Sequence, residues 1–306
     1  MNFQNTSVSV PKKKNRALCP NNCRFCISRM SHNDGNKYPT LWDGSNGNAE
    51  WKVEMRDRLE FTCKSSDTLL FTGTGEPTYN LEYVSEVIKI AKNELSNPFV
   101  NIEIQTCGVD LDDDRLSEMK NMGIKTIALS IASFDNEENG ELCRTPKDKT
   151  VDIEDLCNRI VNKFRFNLRL TFNLNKTSEK FFDNDANGNP NAKPFYEKCS
   201  KLGAAQVTFR RLTATENTSK PAKWVNENNI SLEHFKSFEK YIVANGTKLE
   251  ALPFGLVKYA VDGMSSVLDD DCCHLAYKDT TAVKSGIIRE NVKLYTRWYE
   301  TGSLIF

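Results

Sequence analysis

The chain of 306 residues predicts an α/β fold: a partial (β/α)6 TIM-like barrel, open, with a C-terminal extension that contains a β-hairpin. From residue 66 onward, short β-rich runs alternate with helical runs, which is typical of parallel strands joined by helices. Together with a first strand expected before Cys19, they make six units, which are too few to close a barrel of eight strands. Residues 247–306 have a different pattern, so we expect 1–246 to form the barrel core and 247–306 to cover its opening.

The predicted elements follow one another in a regular order. A first strand is expected to lead into Cys19, and five more strands are predicted at 68–73, 99–106, 124–133, 167–175 and 204–212. Helices are predicted at 80–95, 112–123, 152–164, 194–203 and 231–246. Gly123 and Gly203 are placed to end their helices, and Ser231 is placed to act as an N-cap. The segment 285–306 alternates in polarity around a turn, as a terminal hairpin does.

The composition narrows the functional classes. Hydrophobic residues make up 39% of the chain, which is enough for a sizeable core. Lys plus Arg and Asp plus Glu number 41 each, so bulk electrostatics disfavour nucleic acid as a partner. No apolar run is long enough to cross a bilayer, and residues 1–14 lack the order of a secretory signal. We therefore expect a cytoplasmic protein whose ten cysteines are mostly thiols or metal ligands.

Three of the cysteines, Cys19, Cys23 and Cys26, are spaced C-x3-C-x2-C in the stretch "CPNNCRFC". A structural zinc site needs a fourth ligand. The later cluster 272–274, Cys-Cys-His, does not have the format of a second C-x2-C pair. A [4Fe–4S] cluster bound by three cysteines keeps one iron open for a reactant. The alternative, from another class, is a zinc-stabilised, non-catalytic interaction protein on a barrel scaffold.

The triplet resembles the hallmark of the radical S-adenosylmethionine (radical SAM) superfamily, C-x3-C-x-aromatic-C, with Phe25 as the aromatic residue. The resemblance implies that the three cysteines bind a [4Fe–4S] cluster whose open iron chelates SAM. Reductive cleavage of SAM then gives a 5′-deoxyadenosyl radical, which abstracts a hydrogen from the substrate. An electron donor such as flavodoxin or ferredoxin is implied as well.

A second motif supports the resemblance. The stretch "FTGTGEPT" is similar to the Gly-Gly-Glu-Pro type motif of the family, with Thr74 in place of the first glycine of the pair. The resemblance implies that Gly75, Glu76 and Pro77 form the strand edge that contacts the SAM ammonium group. A strand end without side-chain bulk allows the backbone to approach a ligand closely.

Other candidate cofactor contacts lie on the later strands. By resemblance, Thr106 hydrogen-bonds SAM, Ser130 lies near its carboxylate and ribose, and Phe25 packs near its adenine end. Arg169 is a candidate for a bidentate pair with the SAM carboxylate, and Asn173 is a candidate for the ribose.

The sequence leaves the substrate and the catalytic residues unassigned. The substrate, a peptide, a nucleotide or a small metabolite, is not identified, and no catalytic side chain is assigned. Cys272 and Cys273 are candidates for an auxiliary cluster, but adjacent cysteines rarely both reach one cluster, so we predict a single cluster.

Overall fold

The computed structural model describes residues 2–30, 40–42, 44, 48–182, 188, 190–214, 218–252, 256–270, 282–298 and 301–306. The α-helices of this part are α1 (Ala49–Thr62), α2 (Leu81–Asn93), α3 (Asp113–Met122), α4 (Asn136–Cys143), α5 (Ile153–Asn158), α6 (Lys193–Lys201), α7 (Lys220–Asn228) and α8 (Leu232–Asn245). The strands are β1 (Asn2–Ser9), β2 (Thr68–Thr72), β3 (Asn101–Thr106), β4 (Thr126–Ile131), β5 (Asn167–Leu174), β6 (Gln206–Arg211), β7 (Thr247–Ala251), β8 (Val257–Val261), β9 (Met264–Asp269), β10 (Ala282–Ile288) and β11 (Leu294–Tyr295).

These strands form one sheet in the order β11-β10-β1-β2-β3-β4-β5-β6-β9-β8-β7. From β10 to β9, every neighbouring pair is parallel. The outer strands β11, β8 and β7 pair antiparallel with their neighbours. In the described part of the chain β11 and β7 do not pair with each other, so the sheet is not closed. The predicted open, partial barrel is confirmed, with its six core strands β1 to β6 in the predicted order.

Residues 247–306 extend the core sheet on both of its sides. The strand β9 pairs with β6, β10 pairs with β1, and β10 and β11 form the predicted hairpin. The Nζ of Lys284 on β10 lies 2.7 Å from Oδ2 of Asp269 on β9, so the two sides of the sheet approach each other through an ion pair. The division of the chain at residue 246 stays a prediction.

The helix ends follow the capping signals in the sequence. The Asp112 side chain accepts a hydrogen bond from the N–H of Arg115 at the start of α3, and Ser231 does the same for His234 at the start of α8. Gly123 ends α3 with φ near 88°, a left-handed conformation that glycine adopts without strain. The predicted helix 152–164 is α5 continued by one π-helical turn, Arg159–Lys163.

The helices cover the outer face of the sheet, where aromatic residues form much of the core. Phe195 of α6 packs edge-on against Phe172 of β5 and Phe209 of β6, and Phe238 of α8 contacts Phe209 from the same side. Because this apolar face is turned to the helices, the other face of each strand is left for polar residues. No helix of the described residues is long and apolar enough to cross a membrane.

Candidate active site

The loop that follows β1 carries the cysteine triplet to the C-terminal ends of the parallel strands. At the start of this loop the N–H of Val10 donates to the carbonyl of Thr72 at the end of β2 (2.8 Å). Further along, the N–H of Glu76 donates to the carbonyl of Leu18, which immediately precedes Cys19 (2.9 Å). The triplet is therefore tied by its backbone to the strand end that bears the Gly-Glu-Pro motif.

The other end of the loop is held by α4. The N–H groups of Asn22 and Arg24 donate to the carbonyls of Cys143 and Leu142 at the C-terminus of that helix, at 3.1 and 3.0 Å. These carbonyls have no intrahelical partner, because they belong to the last turn. The loop therefore lies between the end of β2 and the end of α4.

All three thiols of the triplet are half-buried and free of disulfide bonds, and two of them contact further cysteines. A hydrogen bond from the thiol of Cys107 lowers the pKa of Cys19, and this same bond raises the pKa of Cys107. A hydrogen bond to Cys143, together with burial, raises the pKa of Cys23. Burial likewise raises the pKa of Cys26. The sequence alone did not indicate that Cys107 and Cys143 lie here.

The donor set fits a [4Fe–4S] cluster better than a single zinc ion. It consists of three thiols on one loop, the ligand type that such clusters take. A structural zinc site takes four ligands, one more than this loop supplies.

Gly75 and Glu76 have a tightly defined structural role. A Cβ on Gly75 would lie 2.2 Å from the carbonyl oxygen of Leu18, so only glycine fits there. The buried carboxylate of Glu76 accepts hydrogen bonds from the N–H and hydroxyl of Thr78 (3.1 and 2.7 Å) and from the N–H of Cys107 (2.9 Å). Glu76 therefore joins the ends of β2 and β3, and the buried Pro77 begins the short 3-10 helix Pro77–Asn80.

The candidate SAM contacts on β3, β4 and β5 differ in their burial and in their hydrogen-bond partners. Thr106 is buried, and its hydroxyl accepts a hydrogen bond from the N–H of Gly108 (3.0 Å). Ser130 is partly exposed and accepts from Nε2 of Gln105 (3.1 Å). Asn173 lies near the end of β5, with Nδ2 3.5 Å from the carbonyl oxygen of Ile131. Their roles toward SAM stay predictions.

Phe25 is buried in a small apolar cluster beside the triplet. Its ring centroid lies 5.9 Å from that of Trp224 on α7, and Leu212, just after β6, belongs to the same cluster. The cysteine loop therefore reaches from β2 across to β6. Packing against the adenine end of SAM stays a prediction.

Arg169 lies apart from the other candidates. It is the third residue of β5, in the N-terminal half of the strand, and its guanidinium pairs with the buried carboxylate of Glu103 on β3. Glu103 therefore occupies the guanidinium that we assigned to the SAM carboxylate. The assignment of Arg169 to SAM stays a prediction.

The match to known families identifies the chain. The family model described as the radical SAM superfamily matches residues 17–181, more than half of the chain. The chain belongs to the radical SAM superfamily. This membership favours the enzymatic interpretation of the cysteine triplet over the zinc-stabilised, non-catalytic alternative.

Two curated proteins match about half of the chain. It is 26% identical over 147 residues to the uncharacterized protein MJ0804 of Methanocaldococcus jannaschii, and 29% identical over 150 residues to the probable dual-specificity RNA methyltransferase RlmN of Clostridioides difficile. These matches cover 48% and 47% of this chain. They span only 39% of the length of each relative.

Solved radical SAM structures share the fold. The chain is similar to the structure titled anSMEcpe with bound AdoMet (TM-score 0.57, 12% identity, 97% of this chain and 72% of that chain). It is also similar to Streptococcus suis SuiB bound to S-adenosylmethionine (TM-score 0.53, 12% identity, 96% of this chain and 60% of that chain). At these identities the likeness concerns the fold, including its open parallel sheet.

The register reveals inner-face residues that the sequence analysis missed. Glu103 and Gln105 on β3, Arg210 on β6, Asp269 on β9 and Lys284 on β10 line a cavity of about 510 Å³ inside the sheet. A signal for the first three was present, because "NIEIQT" and "QVTFRR" alternate polar and apolar residues with period two. Asp269 and Lys284 had no such signal, since their position depends on long-range pairing.

Glu290, in the turn between β10 and β11, is a further residue that the sequence analysis missed. Its carboxylate accepts a hydrogen bond from Oγ1 of Thr74, the residue that replaces the first glycine of the family motif (3.3 Å). Burial raises the pKa of Glu290 to about 7, while the bond from Thr74 opposes that rise. The extension therefore contacts the motif directly.

Proposed function

We propose that this radical SAM enzyme binds a [4Fe–4S] cluster through Cys19, Cys23 and Cys26 and cleaves SAM reductively to generate a 5′-deoxyadenosyl radical. The supporting observation is that three half-buried thiols lie on one loop that is hydrogen-bonded to the strand end bearing the Gly-Glu-Pro motif. The radical abstracts a hydrogen atom from the substrate. The chemistry that the cluster supplies when bound is the transfer of one electron to the sulfonium of SAM.

The protein residues bind and orient the cofactor in this proposal. Gly75 keeps the strand end free of side-chain bulk, and Glu76 holds the ends of β2 and β3 together. Thr106, Ser130 and Asn173 provide polar groups at the C-terminal strand ends. Polar groups held in place before the reaction cost little reorganisation when charge develops.

The partners belong to the same proposal. We infer a small external electron donor, such as flavodoxin or ferredoxin, and a cytoplasmic location. Cys272 and Cys273, the candidates for an auxiliary cluster, lie outside the described residues, and we retain a single cluster. Division of the chain at residue 246 into a barrel core and an extension over its opening is also part of the proposal.

The similar proteins are associated with different kinds of molecule. One SuiB structure is bound to the precursor peptide SuiA, and one anSMEcpe structure contains the peptide Cp18Cys. RlmN is described as an RNA methyltransferase. This chain spans only part of each of these proteins, so the substrate has to be inferred from its own residues.

The direct test is a Cys23→Ala variant beside a Cys63→Ala control. Both proteins are reconstituted with iron and sulfide without air, and 5′-deoxyadenosine is measured after addition of SAM and dithionite. We expect Cys23→Ala to lose cluster absorbance and SAM cleavage, and Cys63→Ala to keep both, because Cys63 lies at the end of α1, away from the triplet. Equal cleavage in the two variants would contradict the ligand assignment.

Metal analysis of the wild-type protein separates the proposal from a zinc site. We expect a brown, oxygen-sensitive protein with about four iron atoms and four sulfides per chain. A colourless protein that contains one zinc ion and no iron would overturn the proposal.

A further inference from the structure

The cysteine loop, residues 10–30, carries positive charge and no negative charge. Six of its residues are Lys or Arg and none is Asp or Glu, although the whole chain has equal numbers of basic and acidic residues. The six cations are Lys12, Lys13, Lys14, Arg16, Arg24 and Arg29. Arg16 and Arg24 are half-buried and the other four are exposed, with Nζ of Lys13 lying 3.5 Å from a carboxylate oxygen of Glu82. The loop that bears the proposed cluster ligands therefore presents positive charge to solvent.

The segment between α4 and α5 extends this positive charge with three further cations. It runs beside the loop, because Oγ1 of Thr145 donates to Oδ1 of Asn21 at 2.9 Å. In the same place, Nε of Arg24 donates to the carbonyl of Glu141 at 3.3 Å. These contacts bring cations of two separate segments together. We call them the basic surface, and its members are Arg16, Arg24, Arg144, Lys147 and Lys149.

Carboxylates beside the basic surface offset only part of its charge. Oδ2 of Asp110 lies 2.8 Å from Nζ of Lys149 and 3.8 Å from Nη2 of Arg16, so one carboxylate faces two cations. Glu141 and Asp148 lie beside the other three cations, and both are exposed. The five cations outnumber these three carboxylates, so positive charge predominates. A surface with one dominant sign of charge attracts partners of the opposite sign.

Arg144 occupies a backbone position that favours glycine. It ends α4 with φ near 48°, in the left-handed region that residues with a Cβ adopt at a cost in free energy. Its side chain is exposed, so packing in the core does not explain an arginine there. A residue that is held in an unfavourable conformation and contributes little to the core indicates a role outside folding.

The basic surface lies against the cysteine triplet. The N–H of Asn22 donates to the carbonyl of Cys143, the residue immediately before Arg144, at 3.1 Å. Cys143 belongs to the apolar cluster of Phe25, and the half-buried Cys23 packs against this cluster. A protein bound at Arg144 would therefore lie beside the proposed cluster. Electron transfer between proteins slows as the distance between the redox centres grows, so this position suits an electron donor.

We propose that the basic surface binds an acidic one-electron carrier protein, which passes one electron to the oxidised cluster without transfer of any atom. The inference rests on the proposed function, because it locates the docking site of the electron donor. Complementary charge at such an interface speeds association and selects the partner. The exposed Glu141 and Asp148 favour a protein over RNA, because they would repel phosphate groups, whereas a protein can offer a cation to each of them.

Docking is measured with reduced flavodoxin, whose surface is acidic, as the probe. The cluster-loaded enzyme is mixed with it without air in a stopped-flow instrument, and the second-order rate constant of cluster reduction is read from the absorbance. We expect the double variant Arg144→Gly, Lys147→Gln to lower this rate constant at least about tenfold, and the wild-type value to fall as salt is added. The melting temperature of the double variant should not fall, because glycine fits the left-handed position.

The control is the double variant Lys236→Gln, Lys240→Gln, which removes two exposed positive charges from α8, outside the basic surface. It should react with flavodoxin as the wild type does. Equal rate constants in the wild type and both double variants, or a wild-type rate constant that does not change with salt, would overturn the inference. If the first double variant does not fold, the single variant Lys147→Gln, at an exposed side chain, decides the question by the same comparison.

Two further measurements separate docking from other causes. Dithionite, a small reductant that needs no docking surface, is mixed with the same proteins. An equal loss of rate with dithionite and with flavodoxin would show that the substitutions act on the cluster itself, and would overturn the inference. Binding of an oligouridine RNA more tightly than flavodoxin, lost in the Arg144→Gly, Lys147→Gln variant, would assign the surface to nucleic acid and would also overturn it.

Wild-type cleavage of SAM to 5′-deoxyadenosine with dithionite is measured in the same samples. Absence of cleavage would count against the proposed function. Cleavage with dithionite, combined with reduction by flavodoxin that does not depend on the basic surface, would remove only the inference about the electron donor.

Discussion

Gly75 shows how a single residue positions the cysteine triplet. It lies between β2 and the cysteine loop, where the carbonyl of Leu18 accepts a hydrogen bond from Glu76. The motif was recognisable from the sequence by its resemblance to the family. Its contact with Leu18 was not, because that contact joins two segments more than fifty residues apart.

We expect Gly75→Ala to displace the cysteine loop. The added Cβ would lie 2.2 Å from a backbone oxygen, which cannot rotate away as a flexible side chain would. Overpacking of this kind costs about 1–3 kcal/mol of unfolding free energy. Urea unfolding should show this loss, and the iron content after reconstitution should fall.

Gly140→Ala is the matched control for this glycine. Gly140 lies within α4, and the atoms nearest to an added Cβ there are those of Thr150, at 3.8 Å or more. Alanine favours a helix over glycine by about 0.5–1 kcal/mol, so this variant should be as stable as the wild type or slightly more stable. An iron content that is unchanged in Gly75→Ala, or lowered equally in both variants, would contradict the role of Gly75.

At the scale of elements, the sequence predicted the strands that local residue patterns define, and it missed the pairings and contacts between segments that are far apart in the chain. The strands β2 to β6 match their predicted positions closely, because each is a β-rich run bounded by turn or helix signals. The strand β9 and the parallel pairing of β10 with β1 were missed, because the partner strands β6 and β1 are far away in the sequence. The cysteine triplet was predictable from its spacing, whereas the approach of Cys107 and Cys143 required the fold.

The β10–β11 turn places a titratable group, the carboxyl of Glu290, beside the Gly-Glu-Pro motif. Burial raises the pKa of Glu290 to about 7, above the value of about 4.3 in an unfolded chain. Between these two pH values the native state holds a proton that the unfolded state releases. The stability that this carboxyl contributes is therefore complete below about pH 4 and is lost as the pH rises through 7.

We expect Glu290→Gln to remove this pH dependence. Relative to the wild type, the variant should gain about 3–4 kcal/mol of unfolding free energy between pH 4 and pH 8. The measurement is urea unfolding across this range, with Glu239→Gln on the exposed face of α8 as the control. If the unfolding free energy of the wild type changes with pH in the same way as that of Glu290→Gln, the pKa of Glu290 is not raised in the native state and the prediction is wrong.

At the scale of the whole molecule, the open sheet is bridged by a charge pair. Lys284 belongs to the strand beside β1 and Asp269 to the strand beside β6, at opposite sides of the core sheet. Their contact at 2.7 Å spans the opening that six core strands leave. Oδ2 of Asp269 also lies 4.0 Å from Nε of Arg210 on β6.

Asp269→Asn should therefore destabilise the whole sheet. Breaking a buried ion pair from one side costs about 3–5 kcal/mol, because the partner charges lose their compensation. The exposed pair of Glu250 and Lys258 serves as the control, and Glu250→Gln should cost no more than about 1 kcal/mol.

A double-mutant cycle with Lys284→Gln isolates the bridge, since residues in contact show a coupling free energy that distant residues lack. We expect a coupling of about 1–3 kcal/mol in urea unfolding, and strictly additive losses would show that the two sides of the sheet do not depend on this contact.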